Sequence, residues 1–102
     1  MTACVRRVTI DKDTTMTADL DFRLSAFKHG YKKSDAVTVI YGPLTKIFER
    51  GPGELGWQVG FVGFNNTAEL LEILVEYCDD DREICFHIDK ASKKIREEYE
   101  RA

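Results

Sequence analysis

Two histidines are the side chains of this sequence best suited to acid–base chemistry. The chain of 102 residues contains no imidazoles other than His29 and His87, and an imidazole titrates close enough to neutral pH to act as an acid or a base. Metal-independent cleavage of RNA needs a base for the 2′-hydroxyl, an acid for the leaving oxygen and cations for the charge on phosphorus. Both histidines are therefore candidate catalytic residues, and Tyr99 is a third, as a proton donor or as a surface for base stacking.

Cationic side chains are the candidates for phosphate contacts, because binding to a phosphate backbone depends on lysine and arginine. The net charge of −3 gives no overall basic field, so the fold would have to gather local cations on one surface. The candidates for contacts with RNA are Lys28, Arg50, Lys90 and Arg96. The competing interpretation is that these residues belong to ordinary solvated faces.

The cysteines and carboxylates predict no metal site and no cofactor. Cys4, Cys78 and Cys85 are odd in number and lack a CxxC spacing, so buried free thiols are expected in place of disulfides or a zinc site. On alternate positions of a strand, Cys85 and His87 would point to the same face and could form a nucleophilic pair. The carboxylates have no spacing typical of metal ligands.

Length and composition limit the class of protein. A chain of 102 residues with 43% hydrophobic and 32% charged residues is typical of one globular domain, spanning residues 1–102. The N-terminal segment is charged where a signal peptide would be apolar, and no apolar run is long enough to span a membrane. We therefore predict a soluble cytoplasmic protein.

The N-terminal part of the sequence predicts a strand and then two helices. Residues Val5 to Ile10 read as the strand. Thr17 can cap a first helix that ends at Gly30. The predicted buried stripe of this helix consists of Leu20, Leu24 and Phe27.

A second short helix is expected next, although its sequence allows another interpretation. Ser34 can cap this helix, which would carry Val37, Ile40 and Tyr41 on one side and end at Gly42 and Pro43. The β-branched residues from Val37 to Ile40 would suit a strand equally well.

Four strands and a last helix are expected in the remaining sequence. The strands are predicted at residues 45–50, 57–64, 68–78 and 83–89. Gly60 and Gly63 indicate a bulge or a close backbone approach in the second of them. Segment 68–78 also fits a helix, but the polar turn at Asp79–Asp81 and the alternation after it favour a strand. Its inward residues would be Leu71, Ile73, Val75 and Tyr77.

The last helix is predicted from about Lys90, with Asp89 or Ser92 as its cap and with Ala91, Ile95 and Tyr99 against the sheet. Short connections between consecutive strands favour antiparallel pairing. The predicted fold class is therefore α+β, with a small antiparallel sheet packed against two N-terminal helices and one C-terminal helix, all on one side.

Two segments resemble the BrnT-like toxins of toxin–antitoxin pairs, over about two thirds of the chain. Lys-His-Gly at residues 28–30, followed by Asp35 and Ala36, is similar to that family's Lys-His-Gly segment and helix. The strand containing His87, followed by Lys90 and Ala91, is similar to the family's Ile-Ser-Ala-Arg-Lys-Ala and closing helix. This chain departs from the family at Asp89, where a carboxylate replaces the family's arginine.

The resemblance implies a RelE-like ribonuclease fold and a metal-independent endoribonuclease whose partners are RNA and a cognate antitoxin protein. Two other interpretations stay open. One is a non-catalytic module that binds a protein or a nucleic acid, and the other is a homodimeric domain built around an exposed strand edge. Convergence of the histidines and cations on one face would favour the enzyme, and dispersal would favour the others.

Overall fold

The computed structural model of the chain describes residues 20–101. The elements of this part are β1 (Leu20–Phe22), a 3₁₀ turn (Leu24–Phe27), α1 (Lys33–Ile40), β2 (Lys46–Pro52), β3 (Gly56–Phe64), β4 (Leu70–Cys78), β5 (Glu83–Lys90) and α2 (Lys93–Arg101). The two helices have eight and nine residues. Neither of these described helices is long and apolar enough to cross a membrane.

The strands form one five-stranded sheet in the order β1-β5-β4-β3-β2. Strands β2 to β5 are an antiparallel meander, whereas β1 lies parallel to β5 at the edge. The predicted meander is confirmed, including the ambiguous segment, which is strand β4. Strand β4 pairs with β3 on one side and with β5 on the other, so it is central. Most of its residues are buried.

The first face of the sheet carries the main core. The four residues predicted to point inward from β4 are buried there, with Leu71 and Ile73 fully covered. Helix α1 packs on this face through Ala36 and Val39. Burial of a large aliphatic side chain contributes about 1.5–3 kcal/mol, so this layer supplies most of the hydrophobic stabilisation.

Helix α2 covers part of the second, opposite face. Ile95 and Tyr99 of α2 pack against a smaller cluster that includes Val62 and Leu70. The Ser92 hydroxyl oxygen accepts a hydrogen bond from the Ile95 N–H at 3.2 Å, which confirms one of the two predicted caps. The two helices therefore lie on opposite faces of the sheet.

Gly60 is a site of close approach between side chain and backbone on the same second face. It lies opposite Phe48 of β2, and a Cβ atom at Gly60 would lie 2.2 Å from the Phe48 ring. The irregularity in this hairpin is elsewhere, between Glu49 and Gly51 of β2. Of the two predicted explanations for Gly60, close approach is correct.

The predicted antiparallel RelE/BrnT-like fold was wrong in three respects. The sheet is mixed and not antiparallel, its helices cover both faces and not one, and the first N-terminal helix does not form from residue 20 onward, where the described part of the chain begins. Within the described part of that helix, Leu20–Phe22 is strand β1 and Leu24–Phe27 is a 3₁₀ turn. Leu24, which the predicted stripe would bury, is 88% exposed. Pairing with the edge of β5 has overridden the local helical spacing.

The second predicted N-terminal helix is present as α1. It begins after Lys32, not Ser34, and the Asp35 carboxylate accepts a hydrogen bond from the Lys32 N–H at 2.8 Å. This capping contact and the burial of Val39 and Ile40 explain why β-branched residues form a helix here. The predicted strand Val5–Ile10 and the predicted cap Thr17 lie outside the described residues.

Candidate functional site

The two histidines lie against each other. Their ring centroids are 5.8 Å apart and the rings meet edge to face at 73°. The His29 Nε2 atom is also 3.5 Å from the Asp89 Oδ2 atom, and these two side chains are each about one third exposed. Solvent and a ligand can therefore reach this group of three residues, which we call the histidine cluster (His29, His87 and Asp89).

The edge of β5 brings His29 to the cluster. Strand β1 pairs with β5 only at Glu83–Cys85. After this pairing, the chain continues to donate hydrogen bonds to carbonyl groups at the edge of β5. The Arg23 N–H donates to the Cys85 carbonyl at 3.0 Å, and the Ser25 hydroxyl donates to the Phe86 carbonyl at 3.2 Å. These bonds hold the 3₁₀ turn beside the open part of β5.

Gly30 ends this turn and fixes the position of His29. Its φ angle is +90°, a conformation that glycine adopts without steric cost, and its N–H donates to the Phe27 carbonyl at 3.1 Å. Lys28 and His29 immediately precede it, and Lys28 is exposed. The sequence predicted that Gly30 ends an α-helix, but the residues before it form a 3₁₀ turn, Leu24–Phe27.

A β-bulge in β5 orients His87. The register with β4 shifts at this point, pairing His87 with Leu74 but Cys85 with Val75. Because Leu74 and Val75 are consecutive residues of a regular strand, they point to opposite faces. Cys85 therefore belongs to the first-face core and His87 to the second face. The predicted Cys85–His87 nucleophilic pair was wrong, since the bulge at Phe86 breaks the simple alternation.

Cys85 is a buried core residue with no acidic character at neutral pH. Its side chain is fully buried, and burial raises the pKa of the thiol from 9.0 to about 12. A protonated thiol is a poor nucleophile. Cys85 takes no part in the chemistry of the histidine cluster.

Alkaline pH is expected to destabilise the protein through Cys85. Above pH 9 the unfolded chain loses the thiol proton but the folded chain keeps it up to a pKa of about 12. The contribution of the thiol to the free energy of unfolding is thus fully present below pH 9, and it falls by about 1.4 kcal/mol per pH unit from there toward pH 12. Urea unfolding at pH 8 and pH 10 measures this loss. Burial also raises the pKa values of Tyr31 and Tyr41, and these tyrosines act in the same direction.

Cys85→Ala is the matched variant for this effect. It removes the thiol contribution and keeps both tyrosines, so the difference between its free energies of unfolding at the two pH values should shrink by about 1 kcal/mol. An equal loss in both proteins would show that Cys85 ionises normally in the folded state.

A second group of polar residues adjoins the histidine cluster. The Tyr31 hydroxyl lies 3.4 Å from the Glu69 Oε2 atom, and the Asn65 amide donates to Asp35 at 3.1 Å and contacts Glu69 at 3.4 Å. Since Tyr31 follows His29 by two residues, these contacts tie the His29 loop to the turn before β4. The carboxylates of Glu69, Asp89 and Asp35 contribute to the raised pKa of Tyr31, after burial.

Two of the predicted RNA-contacting cations line one pocket. Lys90 at the end of β5 and Arg96 of α2 border a cavity of about 240 Å³, which we call the cation pocket. Ala68, Glu69 and Leu70 complete its lining. Lys90 follows Asp89 directly, so this pocket is adjacent to the histidine cluster along β5.

The other predicted site residues lie elsewhere. Arg50 is on β2, at the opposite edge of the sheet from β1, and three strand spacings separate β2 from β5, about 14 Å. The Tyr99 hydroxyl donates to the Leu44 carbonyl at 2.9 Å, and its ring lies 4.7 Å from Lys46 Nζ and 5.8 Å from the Phe64 ring. These contacts hold α2 on the sheet and lie on the β2 side.

No group of three or more histidine, cysteine or acidic residues within residues 20–101 is placed to hold a metal ion. The histidine cluster therefore offers two imidazole groups beside one carboxylate. No protein-family model matches the chain, and no curated protein is significantly similar to it. The family resemblance described above stays a prediction.

Sequence reasoning missed the partnership between His29 and Asp89. Asp89 follows His87 by two residues. Asp89 pairs with Glu72 of β4 and His87 pairs with Leu74, so the two residues lie on the same face of the sheet. This spacing was a usable signal for a shared site. The contact with Glu69 had no such signal, since it depends on the turn that precedes β4.

Proposed function

We propose that this protein cleaves single-stranded RNA without a metal ion, with His29 and His87 as the acid–base pair. The observation that carries the proposal is that the two imidazoles of the chain, from distant segments, lie together on an accessible surface. Lys28, which precedes His29 in the sequence and is exposed, is the candidate to supply positive charge for the scissile phosphate.

In the proposed reaction one imidazole removes the proton of the 2′-hydroxyl, and the 2′-oxygen forms a bond to phosphorus. The bond from phosphorus to the 5′-oxygen breaks, and that oxygen takes a proton from the other imidazole. The products are a 2′,3′-cyclic phosphate and a free 5′-hydroxyl.

We assign His29 as the acid and His87 as the base. The Asp89 carboxylate, 3.5 Å from His29 Nε2, balances the charge of a protonated His29 ring and orients it. His87 has no comparable carboxylate contact among the described residues and lies beside Leu74. The same carboxylate repels phosphate, which makes a cation beside the histidines, such as Lys28, necessary to the proposal.

The biological setting that we propose is a toxin–antitoxin pair. The two segments that resemble the toxin family contain the histidines, at residues 28–30 and 87–91, and these segments meet in the histidine cluster. An antitoxin protein that covers the cluster would then control the activity. The proposal of this setting rests on the resemblance of these site residues and not on the fold.

The test is incubation of the purified protein with single-stranded RNA in excess EDTA. We expect cleavage with 2′,3′-cyclic phosphate ends and no cleavage at a position that carries a 2′-deoxy sugar, since the nucleophile is then missing. The double variant His29→Ala/His87→Ala, purified in the same way, controls for contaminating ribonuclease. Cleavage that requires a divalent cation, or equal cleavage by the double variant, would refute the proposal. Binding of RNA without cleavage would favour the non-catalytic module.

A further inference from the structure

The cation pocket has the composition of a binding site for a single phosphate group. Its two cationic side chains, Lys90 and Arg96, come from different elements, the end of β5 and the first turns of α2. The cavity of about 240 Å³ is lined mainly by polar surface and is open to solvent. The guanidinium group presents a planar fork of donors that matches phosphate oxygens, and the ammonium group adds a point charge.

The one acidic group of the pocket is already engaged. Glu69 Oε2 contacts the Tyr31 hydroxyl and Glu69 Oε1 contacts the Asn65 amide, each at 3.4 Å. Both carboxylate oxygens therefore have partners on the protein side. With two cations and one carboxylate, the lining keeps a net positive charge in a chain whose overall net charge is −3.

The pocket also lies at a suitable place relative to the histidine cluster. Lys90 follows His87 by three residues on β5, and the strand rise puts their Cα atoms about 10 Å apart. Lys90 is opposite Leu71 and His87 is opposite Leu74, so the two side chains start from opposite faces, and the pocket lies at the end of the sheet, where β5 ends and β4 begins. A second connection runs through Tyr31, which follows His29 by two residues and whose hydroxyl contacts Glu69 in the pocket lining. An extended RNA strand with one phosphate at the histidines can reach this pocket with a neighbouring phosphate.

We infer that the cation pocket is a phosphate subsite that binds an RNA phosphate next to the one cleaved at the histidine cluster. This inference rests on the proposed ribonuclease activity and adds a substrate requirement to it. The preferred substrate is a single strand with at least one phosphate beyond the scissile one. A dinucleotide with a single phosphate leaves the subsite empty.

The test compares kcat/KM for a dinucleotide with kcat/KM for trinucleotides that carry the extra phosphate on either side. For the wild-type protein we expect at least a tenfold preference for one of the two trinucleotides. In Lys90→Ala/Arg96→Ala this preference should fall to near one. The matched control is Lys93→Ala/Lys94→Ala, which removes the same charge from adjacent exposed residues that do not line the pocket, and it should keep the preference.

A preference that is equal in all three proteins would overturn the inference, as would an equal loss in the control variant. All four exchanged residues are exposed, and thermal melts of the variants verify that they are folded. Because KM and kcat are determined separately, a loss of substrate binding at the subsite is distinguished from damage to the histidines.

A binding experiment keeps the subsite testable if no RNA is cleaved. A 2′-deoxy trinucleotide with a 5′-phosphate is titrated while the backbone amide signals are followed by NMR. We expect shifts at Lys90 and Arg96, and at least a tenfold weaker affinity in Lys90→Ala/Arg96→Ala but not in the control variant. This result would support the subsite even when the proposed activity fails, and the absence of shifts at these residues would refute it.

Discussion

Replacing His87 with alanine is expected to lower the rate of RNA cleavage by a factor of about 100 to 10,000, the range typical of a lost general acid or base. That factor corresponds to about 3–5.5 kcal/mol of transition-state stabilisation. His29→Ala should cause a loss of similar size, because each imidazole performs one of the two proton transfers. The measurement is the single-turnover rate on an RNA oligonucleotide, determined across pH 5 to 9.

The pH profile separates a catalytic role from a structural one. A mechanism with one neutral and one protonated imidazole gives a bell-shaped profile, and removal of either group should abolish one limb of the bell. Added imidazole should restore part of the rate of His87→Ala by occupying the vacated space. The factor by which the double variant loses rate should be smaller than the product of the two single-variant factors, since the two histidines act as a unit. A bell that keeps both limbs in either variant would exclude that residue as an acid or base.

Glu76→Ala is expected to destabilise the protein more than an ordinary surface exchange, by about 2–4 kcal/mol. Glu76 is only 8% exposed, and its carboxylate accepts hydrogen bonds from the N–H groups of Leu55 and Gly56 and from the Gln58 amide. Alanine would leave the two partly buried backbone donors of the β2–β3 turn without this acceptor, and a donor that loses its partner costs about 1–3 kcal/mol where it is shielded from water. A loss of this size is a large part of the stability of a small domain.

Urea unfolding of three variants measures this effect. Glu76→Gln keeps an acceptor oxygen but removes its charge, and since bonds to ionised groups are about twice as strong as neutral ones, it should cost roughly half as much. Glu72→Ala removes a carboxylate from the same strand and the same face. No group within residues 20–101 donates a hydrogen bond to the Glu72 carboxylate, so this exchange should lower the free energy of unfolding by less than about 1 kcal/mol. Equal losses for Glu76→Ala and Glu72→Ala would contradict the turn-organising role.

The sequence was sufficient to predict the meander but not the two ends of the sheet. Alternation in β4 correctly identified the inward residues from Leu71 to Tyr77, because one face of this strand packs on the main core. The segment from Leu20 to Phe27 has helical spacing and nonetheless forms a strand and a 3₁₀ turn. Its conformation depends on β5, which lies far along the chain, and local periodicity carries no information about such a partner.

The candidate site was predictable in its residue types and not in its geometry. Scarcity of imidazole singled out His29 and His87, and the structure brings them together. Strict alternation also grouped Cys85 with His87, and the bulge at Phe86 separates them. A single extra residue in a strand reverses the face of every residue beyond it, and no feature of the sequence around Phe86 distinguishes a bulge from regular pairing.

Because β1 pairs in parallel with β5, we expect the histidine cluster to form late in folding. Strands β2 to β5 are joined by short connections and can pair as successive hairpins, whereas β1 must close a loop that contains the whole meander, a slow step with a larger entropic cost. A partly synthesised chain therefore has no histidine cluster until β5 has emerged and β1 has docked. Because β1 has only three residues, local opening of this edge would separate His29 from His87 while the core stays folded.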